Sequence, residues 1–364
     1  MSAKVVICCG SGGVGKTTIS AAIALKWALE GANVAVLTID PAKRLADSLS
    51  IGELTNQPRR VPIEQIQPQA TGKLDALMLD ARATFDDLIK RLAPSEDVTQ
   101  RILSNRYYQF ASGRLGGAHE FMAMEKLLEM WQNGPYDIIV LDTPPTRHAL
   151  DFLRAPGRMS RLMDKGVLRW LVMPAKKGGW RALELGSEMV SRVLKKLLGE
   201  ITVTEIAEFF DAFRDIWDGF HLRAQRVTEL LADPNTKFML VTTPAPSARR
   251  EALFFLDVLQ SQQMPFGGFI INRHISPPRH ELSRASLPTD GPLPEERWEA
   301  LCQSIVNATH MRSNKAIMHA KAVDTLRAAG PTGAPFWLVP EQELDLHDLN
   351  ALASLQAALP GAEI

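Results

Sequence analysis

The sequence predicts an α/β protein built on a doubly wound, mostly parallel sheet that carries an α-helical insertion subdomain. Short apolar runs typical of buried strands occur near both ends of the 364-residue chain, and helical patterns separate them. A glycine-rich turn joins the first of these runs to a helix, which is how a βαβ unit begins. Residues 157–233 hold no clear strand pattern, and this segment predicts the insertion.

Bulk composition limits the classes of protein to consider. Apolar residues make up 46% of the chain, which is enough for a large core, and the formal net charge is zero. A neutral chain gives no overall reason to expect a nucleic-acid partner. The three cysteines form neither a CxxC pair nor a Cys/His cluster, so a zinc site is not expected and a reducing cytoplasm is predicted. The sequence shows no signal-peptide pattern and no apolar run of roughly 18 residues.

The elements follow in order from the apolar runs. Strands at 5–9 and 34–39 enclose a helix at 17–29, which implies a parallel sheet with a right-handed crossover. Further strands are predicted at 74–79, 136–141, 238–242, 268–271 and 336–339. Helices are predicted at 120–131, at 247–260 and from about residue 346. Residues 52–73 are predicted to be a connection, and residues 276–295 a surface loop.

The domain boundaries follow from where the strands lie. Residues 1–156 and 234–364 are predicted to form one α/β domain, interrupted by the α-helical insertion at 157–233. Two apolar stripes with helical spacing occur in the insertion, at 189–198 and 206–220. Spacing alone leaves two interpretations open, an ordinary core or a groove for an apolar client. Residues 158–200 contain ten Lys/Arg and four Asp/Glu, which is either a solvated basic face or a surface for anionic lipid.

The glycine-rich turn carries the most specific motif in the chain. Residues 10–17 match the P-loop pattern GxxxxGK[ST] in full, between a predicted strand and a predicted helix. Lys16 is expected to neutralise the β- and γ-phosphates, and the Thr17 hydroxyl to hold Mg²⁺. The alternative is a glycine-rich turn with no ligand. The backbone expected to surround the phosphate oxygens belongs to Gly10, Ser11, Gly12, Gly13, Val14 and Gly15.

Two aspartates end predicted strands at the edge of the sheet where ligands bind. Asp142 follows the apolar run at 138–141 and is placed to reach the metal, directly or through water. Its alternative is an ordinary helix cap. Asp40 ends the second strand and is placed to position or activate an attacking water, or to cap the helix that follows.

Three segments in this order resemble a known family. Residues 10–18, which include Thr18, resemble the deviant P-loop signature GKGGVGKTT. Residues 40–47 resemble a first switch written DPAxxLxD, and residues 142–150 a second switch written DTAPTGHTL. Residues 116–120 resemble a PGxDE segment. Together these motifs resemble the arsenite-pump ATPase family, which includes the guided-entry ATPase that targets tail-anchored membrane proteins, and the chain looks like a bacterial-type member.

The resemblance implies roles for particular residues. It implies that ATP and Mg²⁺ are the cofactors, that Asp40 orients the attacking water, and that Thr17 ligates Mg²⁺ directly while Asp142 acts on it through water. It also implies that Asn272 recognises adenine and that Pro340 lines the base; a turn role is the alternative for Asn272. Members of the family work as dimers or fused halves. A chain with a single P-loop is therefore expected to pair with itself or with a related ATPase chain.

The sequence departs from the family pattern at several positions. Ser11 stands where the family has a lysine that reaches the partner's nucleotide, so hydrolysis is either slow, assisted by Lys43 or Arg44, or dependent on a partner chain. Arg147 replaces the usual glycine of the second switch. The metalloid-binding cysteines and the CxxC zinc motif are absent from the sequence.

Three functions remain open at this point. The first is an ATPase that couples a dimer switch to the handling of an apolar client such as a membrane protein or a lipid, in the cytoplasm or attached peripherally to a membrane. The second is an ATP-binding regulatory or scaffold subunit of a heterodimer that hydrolyses little. The third is the ATPase subunit of an anion or metalloid pump, which the low cysteine count opposes.

Overall fold

The computed structural model describes residues 3–40, 42–112, 118–144, 209, 211–278, 280, 282–342, 346 and 348–362. These residues contain one eight-stranded sheet, which confirms the predicted α/β fold. Its strands are β1 (Lys4–Cys9), β2 (Asn33–Thr38), β3 (Arg59–Val61), β4 (Lys73–Met78), β5 (Ile138–Asp142), β6 (Thr236–Thr242), β7 (Phe266–His274) and β8 (Phe336–Pro340).

The strand order places the end of β1 at the centre of the sheet. The order is β3-β4-β2-β5-β1-β6-β7-β8, and β3 pairs with β4 in the antiparallel sense while the other neighbours are parallel. The chain starts in β1 and builds outward in both directions. The loops that follow β1, β2 and β5 therefore meet at one edge, which is where open α/β sheets bind ligands.

Helices follow most of the strands. In chain order they are α1 (Lys16–Leu29), α2 (Arg44–Ser48), α3 (Ala81–Leu92), α4 (Glu96–Leu103), α5 (Arg106–Ala111), α6 (Ala118–Asn133), α7 (Trp217–Ala232), α8 (Pro246–Ser261), α9 (Glu295–Ala329) and α10 (Leu349–Ala353). The predicted helices at 17–29, 120–131 and 247–260 are confirmed as α1, α6 and α8.

Strand β3 and helix α9 are elements that the sequence analysis did not predict. Strand β3 lies within the segment predicted to be a connection, and Arg59 and Arg60 make it polar and exposed at the edge of the sheet. Helix α9 is 35 residues long, and only six of its residues are buried. Its apolar residues are spread around the helix and do not form one stripe, so periodicity did not reveal it.

The sheet is buried on both faces. Val5, Ile7 and Cys9 pack in one hydrophobic cluster with residues of α6, α7 and α8. Val6 and Cys8 point to the opposite face and pack with α1 and α10. Because successive strand residues alternate between faces, Cys8 and Cys9 enter different cores. Both are free and fully buried, and burial raises the pKa of the Cys8 thiol to about 12, so they act as small apolar residues.

A third cluster contains the described part of the apolar stripe at 206–220. Residues 157–208 and 210 of the predicted insertion lie outside the described residues, and so do the stripe at 189–198 and the basic segment at 158–200. The described stripe residues are buried among α3, α5 and α6, with Phe213 and Phe220 ring centroids 4.9 Å apart. For these residues the structure shows a core and not an exposed groove: Phe209, Phe213, Ile216, Trp217 and Phe220.

A buried ion-pair network joins the α/β core to α7. Glu125, in the middle of α6, is fully buried. It accepts a hydrogen bond from Arg223 Nε of α7 at 2.6 Å and one from Arg91 Nη2 of α3 at 3.2 Å. Burial raises the pKa of Glu125, and the two guanidinium groups oppose that rise. The network therefore fixes three helices to one another at a single carboxylate.

Candidate functional site

The loop after β1 turns directly into α1 at the centre of the sheet. Gly15 occupies the N-cap of α1 with a left-handed φ of 90°, a conformation that glycine adopts without strain. A side chain at Gly15 would also collide with the amide of Asn272. At Gly10 a side chain would collide with the carbonyl of Val241 in β6. The glycines therefore let the loop lie close to two neighbouring strands.

Lys16 is held inside the loop. Its side chain is buried, with 7% of the residue exposed, and Nζ donates a hydrogen bond to the carbonyl of Ser11 at 3.0 Å. Burial lowers the pKa of Lys16, while the charges of Asp142 and Asp40 oppose that effect. A buried ammonium needs anionic partners, and the loop places this one where a phosphate group would supply them.

Asp142 lies at the end of β5 and is fully buried. Its Oδ2 accepts hydrogen bonds from the hydroxyls of Thr17 at 2.7 Å and Thr38 at 2.9 Å. Its Oδ1 is buried and has no hydrogen-bond partner among the described residues. Burial raises the pKa of Asp142 to about 6, against the hydrogen bonds from the two threonines.

These residues fit a magnesium ion. Mg²⁺ prefers oxygen ligands and keeps several waters, and Thr17 offers a hydroxyl oxygen next to a carboxylate with one unpartnered oxygen. A cation there would also compensate the cost of burying the Asp142 charge. Thr17 and Asp142, which were both predicted to act on the metal, are in direct hydrogen-bond contact, and their roles toward Mg²⁺ stay predictions.

Asp40 does not cap α2, whose N-cap is Lys43 with no side-chain hydrogen bond, and its role toward an attacking water stays a prediction. Its Oδ1 accepts a hydrogen bond from the backbone N–H of Ala42 at 3.0 Å, which orders the start of the following segment. Its Oδ2 lies 3.7 Å from Nη1 of Arg44, whose side chain is mostly exposed. The carboxylate also lines the cavity beside the phosphate loop.

That cavity has a volume of about 400 Å³. It is lined by the phosphate loop and α1, by the segment from Asp40 to Ser48, and by Thr143 and Leu346. A second cavity of about 300 Å³ shares Gly15, Thr18 and Leu346 with it. The two together form one elongated site with a phosphate end and a second end near β7 and β8.

The second end contains the residues predicted to contact a base. Asn272 and Pro340 both line it. The Asn272 side chain donates from Nδ2 to the carbonyl of Val14 at 2.8 Å, and its Oδ1 accepts from the N–H of Arg273 at 2.9 Å. The structure thus brings Asn272 against the phosphate loop, 258 residues away in the chain.

Sequence reasoning missed Thr38 and Ser48, and it included Asp47 only as the last residue of the segment that resembles the first switch. Thr38 donates to Asp142 across the sheet, and that pairing has no local signal in the sequence. Asp47 and Ser48 line the cavity from α2. In the segment resembling PGxDE, His119 Nε2 lies 3.5 Å from the carbonyl of Ile39. Gly116, Gly117, Arg147 and the second switch beyond residue 144 lie outside the described residues.

Comparison with known proteins identifies the family. The model of a family described as Anion-transporting ATPase matches residues 3–286, which is most of the chain. The chain belongs to the ArsA ATPase family. Within the part of this ArsA-family chain that the structure describes, no helix has the length and apolar character needed to cross a bilayer.

Individual relatives of this ArsA-family chain are distant. "Putative arsenical pump-driving ATPase 1" of Aquifex aeolicus is 24% identical over 70% of the chain and 60% of its own length. ATPase GET3 of Malassezia globosa is 26% identical over 45% of the chain and 46% of its own length. ATPase ASNA1 homolog of Cryptosporidium parvum is 25% identical over 74% of the chain and 64% of its own length. The chain therefore spans less than two thirds of the length of each relative.

Proposed function

We propose that this chain binds ATP with Mg²⁺ and hydrolyses it. The observation that carries the proposal is the contact of Thr17 with Asp142, whose second oxygen is buried without a partner, beside a complete phosphate loop. A glycine-rich turn with no ligand would not require a buried lysine and a buried carboxylate at the same place. Family membership supports the same reaction.

Each residue of the site has one task in this proposal. The loop N–H groups and Lys16 bind the phosphates, and Thr17 with Asp142 holds the metal, which neutralises charge on the transferred group. Asp40 orients the attacking water, because its Oδ1 is fixed by Ala42 while its Oδ2 is paired only at 3.7 Å. Asn272 and Pro340 hold the adenine at the far end.

The proposal also includes a dimer and a path through which the nucleotide state reaches the insertion. Family members pair across their nucleotides, and this chain contains one P-loop, so we expect a homodimer or a heterodimer with a related ATPase chain. Helix α6 is placed to transmit the nucleotide state, since His119 lies by the carbonyl of Ile39, next to Asp40. The same helix holds α7 through Glu125 and Arg223. A shift near Asp40 would therefore move the helices beyond the sheet.

The proposed client is an apolar segment, of a membrane protein or a lipid, handled in the cytoplasm or at a membrane surface. The described stripe residues are core and unavailable to it, so the stripe at 189–198 is the candidate contact. Crosslinking of the full chain to a transmembrane peptide, with ATP and with ADP, tests this. A difference between the two states supports the client, and no crosslink in either state rejects it.

Steady-state ATP hydrolysis across protein concentrations tests the activity. Lys16→Ala is the blank, and Lys73→Ala, an exposed lysine at the start of β4, is the matched control. A specific rate that rises with concentration, equal in Lys73→Ala and absent in Lys16→Ala, supports a self-competent dimer. A chain that binds no ATP refutes the proposal.

A regulatory subunit is the second candidate, and Ser11 favours it. The residue at this position is 9% exposed and carries no cation, so it supplies no charge to a partner's nucleotide. In this case ATP binds but turnover stays at the blank level until a related chain is added. The pump alternative is supported by the family description and by a relative named as an arsenical pump-driving ATPase. All three cysteines are buried, and stimulation by arsenite or antimonite would be needed to revive it.

A further inference from the structure

A third cavity lies beside the base end of the nucleotide site. Its volume is about 370 Å³, and it is lined by the segment between β6 and α8, by the end of β7 and by α9. It shares Arg273 and Glu341 with the neighbouring base-side cavity. Neither the phosphate loop nor either of the aspartates Asp40 and Asp142 lines it, so the proposed hydrolysis makes no use of this space.

The charged groups around this cavity are mostly positive. Arg249, Arg273 and Lys315 line it, together with His319, and Glu341 is the one carboxylate among its described lining residues. Glu341 pairs with Lys315 at 3.4 Å. Arg249 is partly buried and Arg273 exposed, and neither guanidinium group has a carboxylate partner in the described part of the chain.

Arg249 gives the sharpest sign of a ligand. Its Nε is buried and has no hydrogen-bond acceptor among the described residues. A buried donor without an acceptor destabilises the folded chain, and more strongly when the group is charged. Guanidinium is also the side chain best suited to bind planar or tetrahedral oxyanions through parallel hydrogen bonds. A negatively charged acceptor would both accept the Nε–H hydrogen bond and balance the guanidinium charge.

Two neighbouring features add donors. No side chain caps the N-terminus of α8, whose N-cap is Ala245 and whose first position is Pro246, so its positive end faces the same segment. His319 Nδ1 accepts a hydrogen bond from the N–H of Ile275 at 3.0 Å. That bond fixes the neutral ring with its proton on Nε2, which makes Nε2 a donor.

We propose that this cavity binds a small oxyanion in free solution, a phosphate or carboxylate group on a molecule of metabolite size. Arg249 and Arg273 neutralise the charge, and Lys315 and His319 complete the donor set. The cavity is separate from the nucleotide phosphates, so both ligands can be bound at the same time. Because Arg273 and Glu341 line both cavities, the oxyanion is placed to alter nucleotide affinity.

Titration calorimetry on the full chain tests the proposal. The protein is saturated with Mg²⁺-ADP to occupy the phosphate loop, and orthophosphate and citrate are titrated separately at constant ionic strength. Arg249→Gln is the test variant. Arg250→Gln is the matched control, since Arg250 is an exposed neighbour on α8 that does not line the cavity. Removing one charged donor should weaken binding of the stronger probe roughly tenfold or more.

The outcomes separate clearly. Binding that is lost in Arg249→Gln and retained in Arg250→Gln supports the site. Binding of equal strength in both variants, or no binding of either probe to the wild-type chain, overturns it. Lys315→Gln provides a second variant should Arg249→Gln fail to fold, and the same loss is expected. No turnover is required, so the result stands whether or not the chain hydrolyses ATP.

Discussion

Replacing Arg223 with methionine should destabilise the chain strongly, because it leaves a buried carboxylate with a poorer partner. Glu125 is fully buried, and Arg223 Nε is its nearest cation at 2.6 Å, with only 14% of the Arg223 side chain exposed. Removing one partner of a buried pair costs about 3–5 kcal/mol. Arg91 remains 3.2 Å away, so we expect a loss of about 3 kcal/mol, at the lower end of that range.

Two further variants isolate the buried charge as the cause. Arg91→Met should cost only about 1 kcal/mol, because about a third of the Arg91 side chain is exposed to solvent that screens it. The double variant Glu125→Leu/Arg223→Met removes the charge together with its partner. A buried ion pair replaced by apolar residues is often neutral, so the double variant should regain most of the lost stability.

Urea unfolding followed by far-ultraviolet circular dichroism measures these differences at neutral pH. With a slope of about 3 kcal/mol per molar urea, Arg223→Met should lower the midpoint by about 1 M. Equal losses in Arg223→Met and Arg91→Met would show that depth of burial does not decide the cost. A double variant less stable than Arg223→Met would show that packing, and not unpaired charge, is responsible.

Three other predictions concern the cavities. Gly15→Ala should weaken Mg²⁺-ATP binding at least roughly tenfold, because φ is 90° there and the methyl group meets Asn272; unchanged affinity in a fluorescent-nucleotide titration would contradict this. Asp142→Asn should abolish the magnesium dependence of nucleotide affinity, measured by titrating Mg²⁺ against bound ATP, and a wild-type magnesium response would exclude Asp142 from the metal site. Burial lowers the pKa of His319 below its ordinary 6.5. The charges of His274 and Lys315 act in the same direction, and the charge of Glu341 opposes them. The stabilising contribution of neutral His319 is therefore present above pH 6.5 and lost as the pH falls through the folded-state pKa. The melting temperature should therefore fall less between pH 7 and pH 5 in His319→Gln than in the wild type. Parallel dependence of the melting temperature on pH in the two proteins would contradict this prediction.

The sequence predicted the sheet and the phosphate loop because both depend on local patterns. Apolar runs between glycine-rich turns identify buried strands, and residues 10–17 carry their function in consecutive positions. Strand β3 was missed since its exposed arginines resemble a loop, and α9 since its few buried residues follow no single stripe. The bond from Thr38 to Asp142 spans 104 residues, and only the sheet order brings its partners together. Periodicity at 206–220 predicted a helix but could not say that its aromatic residues face α3, α5 and α6.

The two backbone contacts of Asn272 have a consequence for which nucleotide the chain should prefer. Nδ2 donates to the Val14 carbonyl and Oδ1 accepts from the Arg273 N–H, so the amide cannot rotate to exchange its donor and acceptor ends. It therefore presents one remaining N–H and one lone pair in a fixed order. Adenine offers the matching acceptor and donor at N7 and N6, whereas guanine offers two acceptors at N7 and O6. If Asn272 contacts the base as proposed, discrimination between ATP and GTP originates in the main chain of the phosphate loop and of β7, which hold its amide in one orientation.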